Sequence, residues 1–198
     1  MLALWFIGAP FERAHGPFIT SYLFILAAVG GNVFRVTLQP NVTSVGASGG
    51  IYGLVGGSLA DIFINWDLLS RGRTQCSSSF IFFWLIFEVA LNAAIGLTPV
   101  LDNFSHMGGL FYGFFGALPL VNKMGLHFFG RRSVSHRAKT YSLRILGFLV
   151  GVNLMVVAYI LLAWSDGYHS PYKRCRFLSC APFPFWKDEK WWDCSIPS

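Results

Sequence analysis

The sequence predicts an all-α polytopic membrane protein, and three observations carry that prediction. Of 198 residues, 54% are hydrophobic and 12% charged, with mean hydropathy +0.53, whereas soluble domains carry about 25% charged residues. The apolar residues form continuous runs rather than alternating short ones, which points to helices and not to a membrane β-barrel. The basic residues gather in short stretches between those runs, so the net charge of +6 reads as basic loops and not as a nucleic-acid surface. A disordered chain is excluded, and a soluble globular domain is disfavoured.

The runs follow in order. Residues 1–10 are apolar and uncharged, about half the roughly 20 residues of a span. No basic region precedes them and no small-residue cleavage site follows, so they read as the end of a spanning helix rather than a signal peptide. A short interfacial helix is the alternative. Residues 17–34 carry no charge, 44–60 continue helically past Asp61 to Trp66, and 78–98 hold one charge, Glu88. Residues 104–122 have His106 as their ionisable group, and 145–165 are uncharged. The expectation is about five complete transmembrane helices plus a partial one at the N-terminus.

Orientation follows from Lys and Arg. The stretch 123–141 holds Lys123, Arg131, Arg132, Arg137 and Lys139 without an acid, and 67–77 holds Arg71 and Arg73. Two helices separate these stretches, so they share one side, and the positive-inside rule makes it cytoplasmic. Thus 123–141 is a basic cytoplasmic loop, 142–165 a last transmembrane helix, and 166–198 a Cys- and Trp-rich tail on the opposite side. The tail carries Cys175, Cys180 and Cys194, suited to an oxidising lumen, with Trp186, Trp191 and Trp192 at the membrane interface. Asn41-Val42-Thr43 matches a glycosylation acceptor on that side, too near the membrane to be used. The compartment expected is the secretory pathway, Golgi or plasma membrane.

Polar residues inside spans are candidate functional groups: Ser48, Tyr52, Glu88, Asn92, His106 and Asn153. Ser48 and His106 each open a helix from the non-cytoplasmic side, so they share a depth, as a nucleophile and its base require. Gly49, Gly53 and Gly57 recur every four residues on one helix, with Gly109 and Gly113 on the other. Small residues at that spacing let helices approach closely in lipid. Tyr52, one turn after Ser48, is placed to stack on the imidazole. Gly46 and Gly49 free the backbone around Ser48 for an anion-binding turn. Taken singly, each residue has a plain packing explanation; jointly they point to nucleophilic catalysis. Asp102, one turn before His106, reads as a helix cap.

These motifs resemble a known family. Gly46-Ala47-Ser48-Gly49 followed by Tyr52-Gly53 is similar to the nucleophile motif of the rhomboid intramembrane serine proteases. Ser105-His106-Met107-Gly108-Gly109 with Gly113 is similar to their histidine motif. Residues 1–8 with Glu12 resemble the end of the family's second core helix. The resemblance covers residues 1–122, a rhomboid-like helical bundle, and the last helix with Cys175, Cys180, Pro182 and Cys194 resembles the eukaryotic, plant-type branch.

The resemblance implies a serine endopeptidase that cleaves transmembrane segments of single-pass proteins within the lipid bilayer. Ser48 is then the nucleophile and His106 the general base and acid, with no cofactor and no metal. The family also carries a His and an Asn, four residues apart, as oxyanion donors in its second core helix, and this sequence begins immediately after that position. The core is therefore expected to lack the first core helix and the start of the second. The Ser48 backbone N–H remains as a donor, and this form is expected to cleave poorly or not at all. A rhomboid-like pseudoprotease that binds transmembrane segments without cutting is the alternative. A channel or transporter relaying protons through His106 and Glu88 is a third reading, for which Glu88 is not obviously aligned.

Overall fold

The computed structural model describes residues 4–38, 46–71, 75–97, 102–121 and 134–164. The basic stretch up to residue 133, the cysteine- and tryptophan-bearing tail and the Asn41 acceptor lie outside the described residues. All described elements are helical. A π-helical turn, Leu4–Gly8, runs into α1 (Ala9–His15). Then come α2 (Pro17–Leu38), α3 (Ser48–Arg71), α4 (Gln75–Ile95), α5 (Asn103–Leu120) and α6 (Val134–Trp164).

The five long helices stand where the apolar runs predict them, with shifted ends. The first run does not stop at residue 10 but continues helically through Glu12 and Arg13 to His15. Gly16, at φ 88°, then ends α1, a backbone angle glycine adopts without steric cost. Pro17 opens α2, where its missing N–H costs nothing. At the other end of the chain, the loop expected over 123–141 is helical from Val134 onward. Arg137 and Lys139 sit in a stretch with no Gly or Pro, so the helix outruns its apolar segment.

By length and apolar composition alone, α2 is long and apolar enough to cross a membrane, while Phe82–Ile95 and Tyr141–Val157 are shorter apolar stretches. The sequence reading counted α3 and α5 as spans too. Both are diluted by glycine and by polar residues such as Ser58, Asp61 and Asn65, or Ser105 and His106, and it is the glycines that let them pack on each other.

Helices α2, α3 and α5 form the centre. Their shared core contains Leu23 from α2, Leu54 and Ala60 from α3, and Ala117 and Leu118 from α5, closed by Phe11 of α1. Contacts between α3 and α5 rise together in number, Gly49 with Ser105 and Gly109, Gly56 with Leu110 and Phe114, so these two helices run parallel. α2 runs against them, with Ala27 on Gly53, Leu23 on Gly57 and Gly31 on Ser105. α6 packs antiparallel on α5: Leu118 meets Gly147, and the Tyr112 hydroxyl donates to the Leu154 carbonyl at 3.0 Å. α4 packs on α3 through Leu85 against Val55 and Ile62, and leaves Phe80, Phe83, Trp84 and Phe87 exposed. In water that surface would be anomalous; against lipid tails it is ordinary.

Candidate active site

Two helices begin at the same end of the bundle. α3 starts at Ser48 and α5 at Asn103. Their parallel register fixes the relative level of everything on them. Gly49 faces Ser105 and Gly109, and Gly53 faces Gly109 and Gly113, so the same register is kept from one turn to the next. Ser48 is thereby level with the first turns of α5, where His106 stands.

The approach is backbone to backbone. A Cβ on Gly109 would lie 2.9 Å from the Gly49 carbonyl carbon, and one on Gly113 would collide with the Gly53 carbonyl oxygen. A Cβ on Gly49 would meet the Ser105 hydroxyl at 3.0 Å. Glycine is required at these positions because carbonyls and hydroxyls of the partner helix occupy the space a side chain would take. Gly46 precedes α3 and is exposed; a Cβ there would sit 3.4 Å from the Ser48 hydroxyl. A glycine at 46 leaves that side of the hydroxyl open.

Tyr52 stacks on His106 with ring centroids 4.3 Å apart and planes 9° from parallel. His106 is 8% exposed. Its Nδ1 and the Tyr52 hydroxyl are both buried without a hydrogen-bond partner. Ring stacking thus holds the imidazole in place through its face and leaves an edge nitrogen unengaged. Ser48 as a residue is half-buried. The α3 helix begins there, so the N–H groups of its first turn have no carbonyl one turn earlier within the helix to bind.

Asp102 is the N-cap of α5. Its Oδ1 accepts from the Ser105 N–H at 3.1 Å, and its backbone carbonyl accepts from the His106 N–H at 3.3 Å. The capping role read from sequence is the one found. The other carboxylate oxygen faces Arg35 of α2, with Nε 2.9 Å from Oδ2. Sequence reasoning did not single out Arg35. It lies on α2 and is 4% exposed. The available signal was a lone cation directly after the uncharged run 17–34.

Other polar residues singled out from sequence do not gather here. Asn92 and Asn153 each donate to the carbonyl one turn back, at 2.9 Å, the ordinary way an amide is satisfied in an apolar helix. Glu88 is half-buried on α4. Toward the other end of α3, a cluster unremarked in the sequence joins His15, Asp61 and Asn65. Among the described residues no group of three or more His, Cys, Asp or Glu side chains could hold a metal ion.

Comparison with known proteins shows the family. Residues 1–123 match the family model described as the Rhomboid domain. The chain is 32% identical over 192 residues to RHOMBOID-like protein 4 of Arabidopsis thaliana, covering 94% of this chain and 47% of that protein. It is 31% identical over 192 residues to RHOMBOID-like protein 2 of the same plant, covering 94% and 59%. Inactive RHOMBOID-like protein 8, also of Arabidopsis thaliana, is 27% identical over 210 residues, covering 98% and 56%. The chain spans about half the length of these curated relatives.

Proposed function

Because the chain belongs to the rhomboid family of integral membrane proteins, we propose that it is an intramembrane serine endopeptidase in which Ser48 is the nucleophile and His106 the general base and acid. Rhomboids are typically intramembrane proteases acting on membrane-protein substrates, although relatives named inactive exist. The observation that carries the reading is the glycine-locked parallel register of α3 and α5, with Tyr52 stacked on His106.

The chemistry proceeds as acyl transfer. Ser48 Oγ attacks the scissile carbonyl carbon of a transmembrane segment while His106 takes the hydroxyl proton. The resulting oxyanion is stabilised by backbone N–H groups of the first turn of α3, where the helix dipole also favours negative charge. Collapse expels the amine, which receives the proton from His106, and leaves an ester on Ser48. Water, giving a proton to His106, attacks the ester; Ser48 Oγ then leaves, takes that proton back from His106, and the carboxylic acid product is released. The dyad works without a third member, because both oxygens of Asp102 are engaged elsewhere. Substrates are single-pass proteins whose segments enter from lipid. The Ser48 end of the bundle is the non-cytoplasmic one.

The test is covalent labelling by a fluorophosphonate probe, with cleavage of a transmembrane substrate in parallel. The expected result is labelling lost in Ser48→Ala and in His106→Asn, with the weak cleavage expected of this chain lost in the same variants. A chain that binds transmembrane peptides but resists the probe would instead be a pseudoprotease.

A further inference from the structure

The mechanism above makes no use of Arg35, a cation buried in an apolar bundle. Burying a guanidinium without a purpose is costly, so its surroundings are informative. Its Nε lies 2.9 Å from Asp102 Oδ2, a charge contact rather than an aligned hydrogen bond, since neither atom has a hydrogen-bond partner and Nη2 is also buried unpartnered. Asp102 in turn holds the first turn of α5 twice, through Oδ1 on the Ser105 N–H and through its carbonyl on the His106 N–H. The chain of contacts therefore runs from α2 through the Asp102 carboxylate to the Ser105 N–H, next to His106 in the same turn.

The contact surface around this chain has no slack. A Cβ on Gly31 would lie 2.6 Å from the Ser105 carbonyl oxygen, and one on Gly108 would lie 2.9 Å from the Gly31 Cα. Where backbones pack this closely, a displacement at the cap cannot be absorbed locally and passes into the helix. His106 must also keep its ring flat on Tyr52, so its tolerance is small.

The geometry points to Arg35 as a positioning residue for the proposed protease: it anchors the Asp102 carboxylate, and through that cap sets the placement of His106 relative to Ser48. The inference rests on the dyad reading. Arg35 itself touches no reacting atom. Its contribution is to turnover, since placement of the base matters in the transition state more than in substrate binding.

A double-mutant cycle in the intact protein tests this, reconstituted in liposomes with a transmembrane substrate and scored per folded molecule. Arg35→Gln is expected to lower kcat by about ten- to a hundredfold, the scale of a misplaced base, with KM changed by less than about twofold. Arg35→Lys, which keeps the charge, recovers most of the loss. Asp102→Asn keeps a cap acceptor while removing the charge that attracts Arg35, and lowers kcat similarly. Arg35→Gln combined with Asp102→Asn should be no worse than Asp102→Asn alone, because residues acting through one contact are non-additive. Multiplicative losses, a Lys variant as poor as Gln, or an unchanged kcat per folded molecule would each overturn the assignment. The Ser48→Ala control separates the two levels. Cleavage that survives it sinks the protease reading, whereas cleavage that it abolishes but Arg35→Gln leaves intact sinks only the anchor.

Discussion

At the start of α3, Ser48, Tyr52 and the facing His106 leave polar atoms unengaged: the Tyr52 hydroxyl and His106 Nδ1 are buried with no hydrogen-bond partner. Further along the same helix, Asp61 is occupied on both oxygens, by the Asn65 amide on one and by His15 Nε2 at 3.2 Å on the other. Asn65 is 1% exposed, and the His15 ring is flanked by Phe11 with centroids 4.6 Å apart. One cluster joins α1 to α3 through the Asp61 carboxylate, with both His15 nitrogens still lacking a hydrogen bond. The other meets through ring faces, His106 on Tyr52, beside a serine. Polar residues in membrane helices are therefore not equally informative: unpartnered nitrogens occur in both clusters, and what separates them is a carboxylate at the centre of one and a stacked imidazole beside a hydroxyl in the other.

The sharpest way to break this contrast is to exchange its consequences. On the protease reading, Ser48→Ala should lower substrate cleavage about a thousandfold or more, as loss of a nucleophile does in serine proteases. Its unfolding midpoint should move by no more than about 0.5 kcal/mol. Asp61→Ala should do the reverse. Leaving buried partners of a carboxylate unsatisfied costs about 1–3 kcal/mol, visible in thermal or detergent unfolding, while kcat per folded molecule stays within about twofold of the parent. A stable Asp61→Ala protein with lost turnover would move the staple into the site and undo the comparison.

Smaller effects sharpen it. Gly109→Ala places a methyl against the Gly49 backbone, and overpacking of this kind costs about 1–3 kcal/mol. It should also depress cleavage, because α3 and α5 must separate. Gly151→Ala is the matched control, with nothing within 4 Å of the added carbon; a helical Gly-to-Ala change there should stabilise by about 0.5–1 kcal/mol. Tyr52→Leu removes the stacking partner of His106, worth about 0.5–1.5 kcal/mol of interaction. Its effect should fall on kcat, whereas Tyr52→Phe, which keeps the ring, should retain most activity. Equal losses in the Phe and Leu variants would mean that the hydroxyl, not the stack, is what matters.

Much of this was readable in the chain itself. Continuous apolar runs with basic separators determine a helical membrane protein, because backbone groups in lipid must be satisfied within each segment. Glycines at four-residue spacing beside Ser48 and His106 determine that two helices meet closely, since that spacing lines one face. Tyr52 follows one turn from Ser48, and its stacking on the imidazole was legible from that periodicity. Helix ends were read less well. Hydropathy ends where charges begin, but a helix continues until its hydrogen bonding is interrupted, so α1 reached His15 and α6 began at Val134.

The ion pairs were beyond the sequence for a different reason. Arg35 and Asp102 lie far apart in the chain, as do His15 and Asp61, and nothing in the local pattern of any one of them names its partner. Only the antiparallel packing of α2 on α5 brings Arg35 onto the cap of the His106 helix, and only the fold-back of α1 brings His15 to Asp61. Periodicity reports which face of a helix a residue occupies. Which partner that face meets is decided by the tertiary arrangement, because burial removes the water that would otherwise have satisfied the charge.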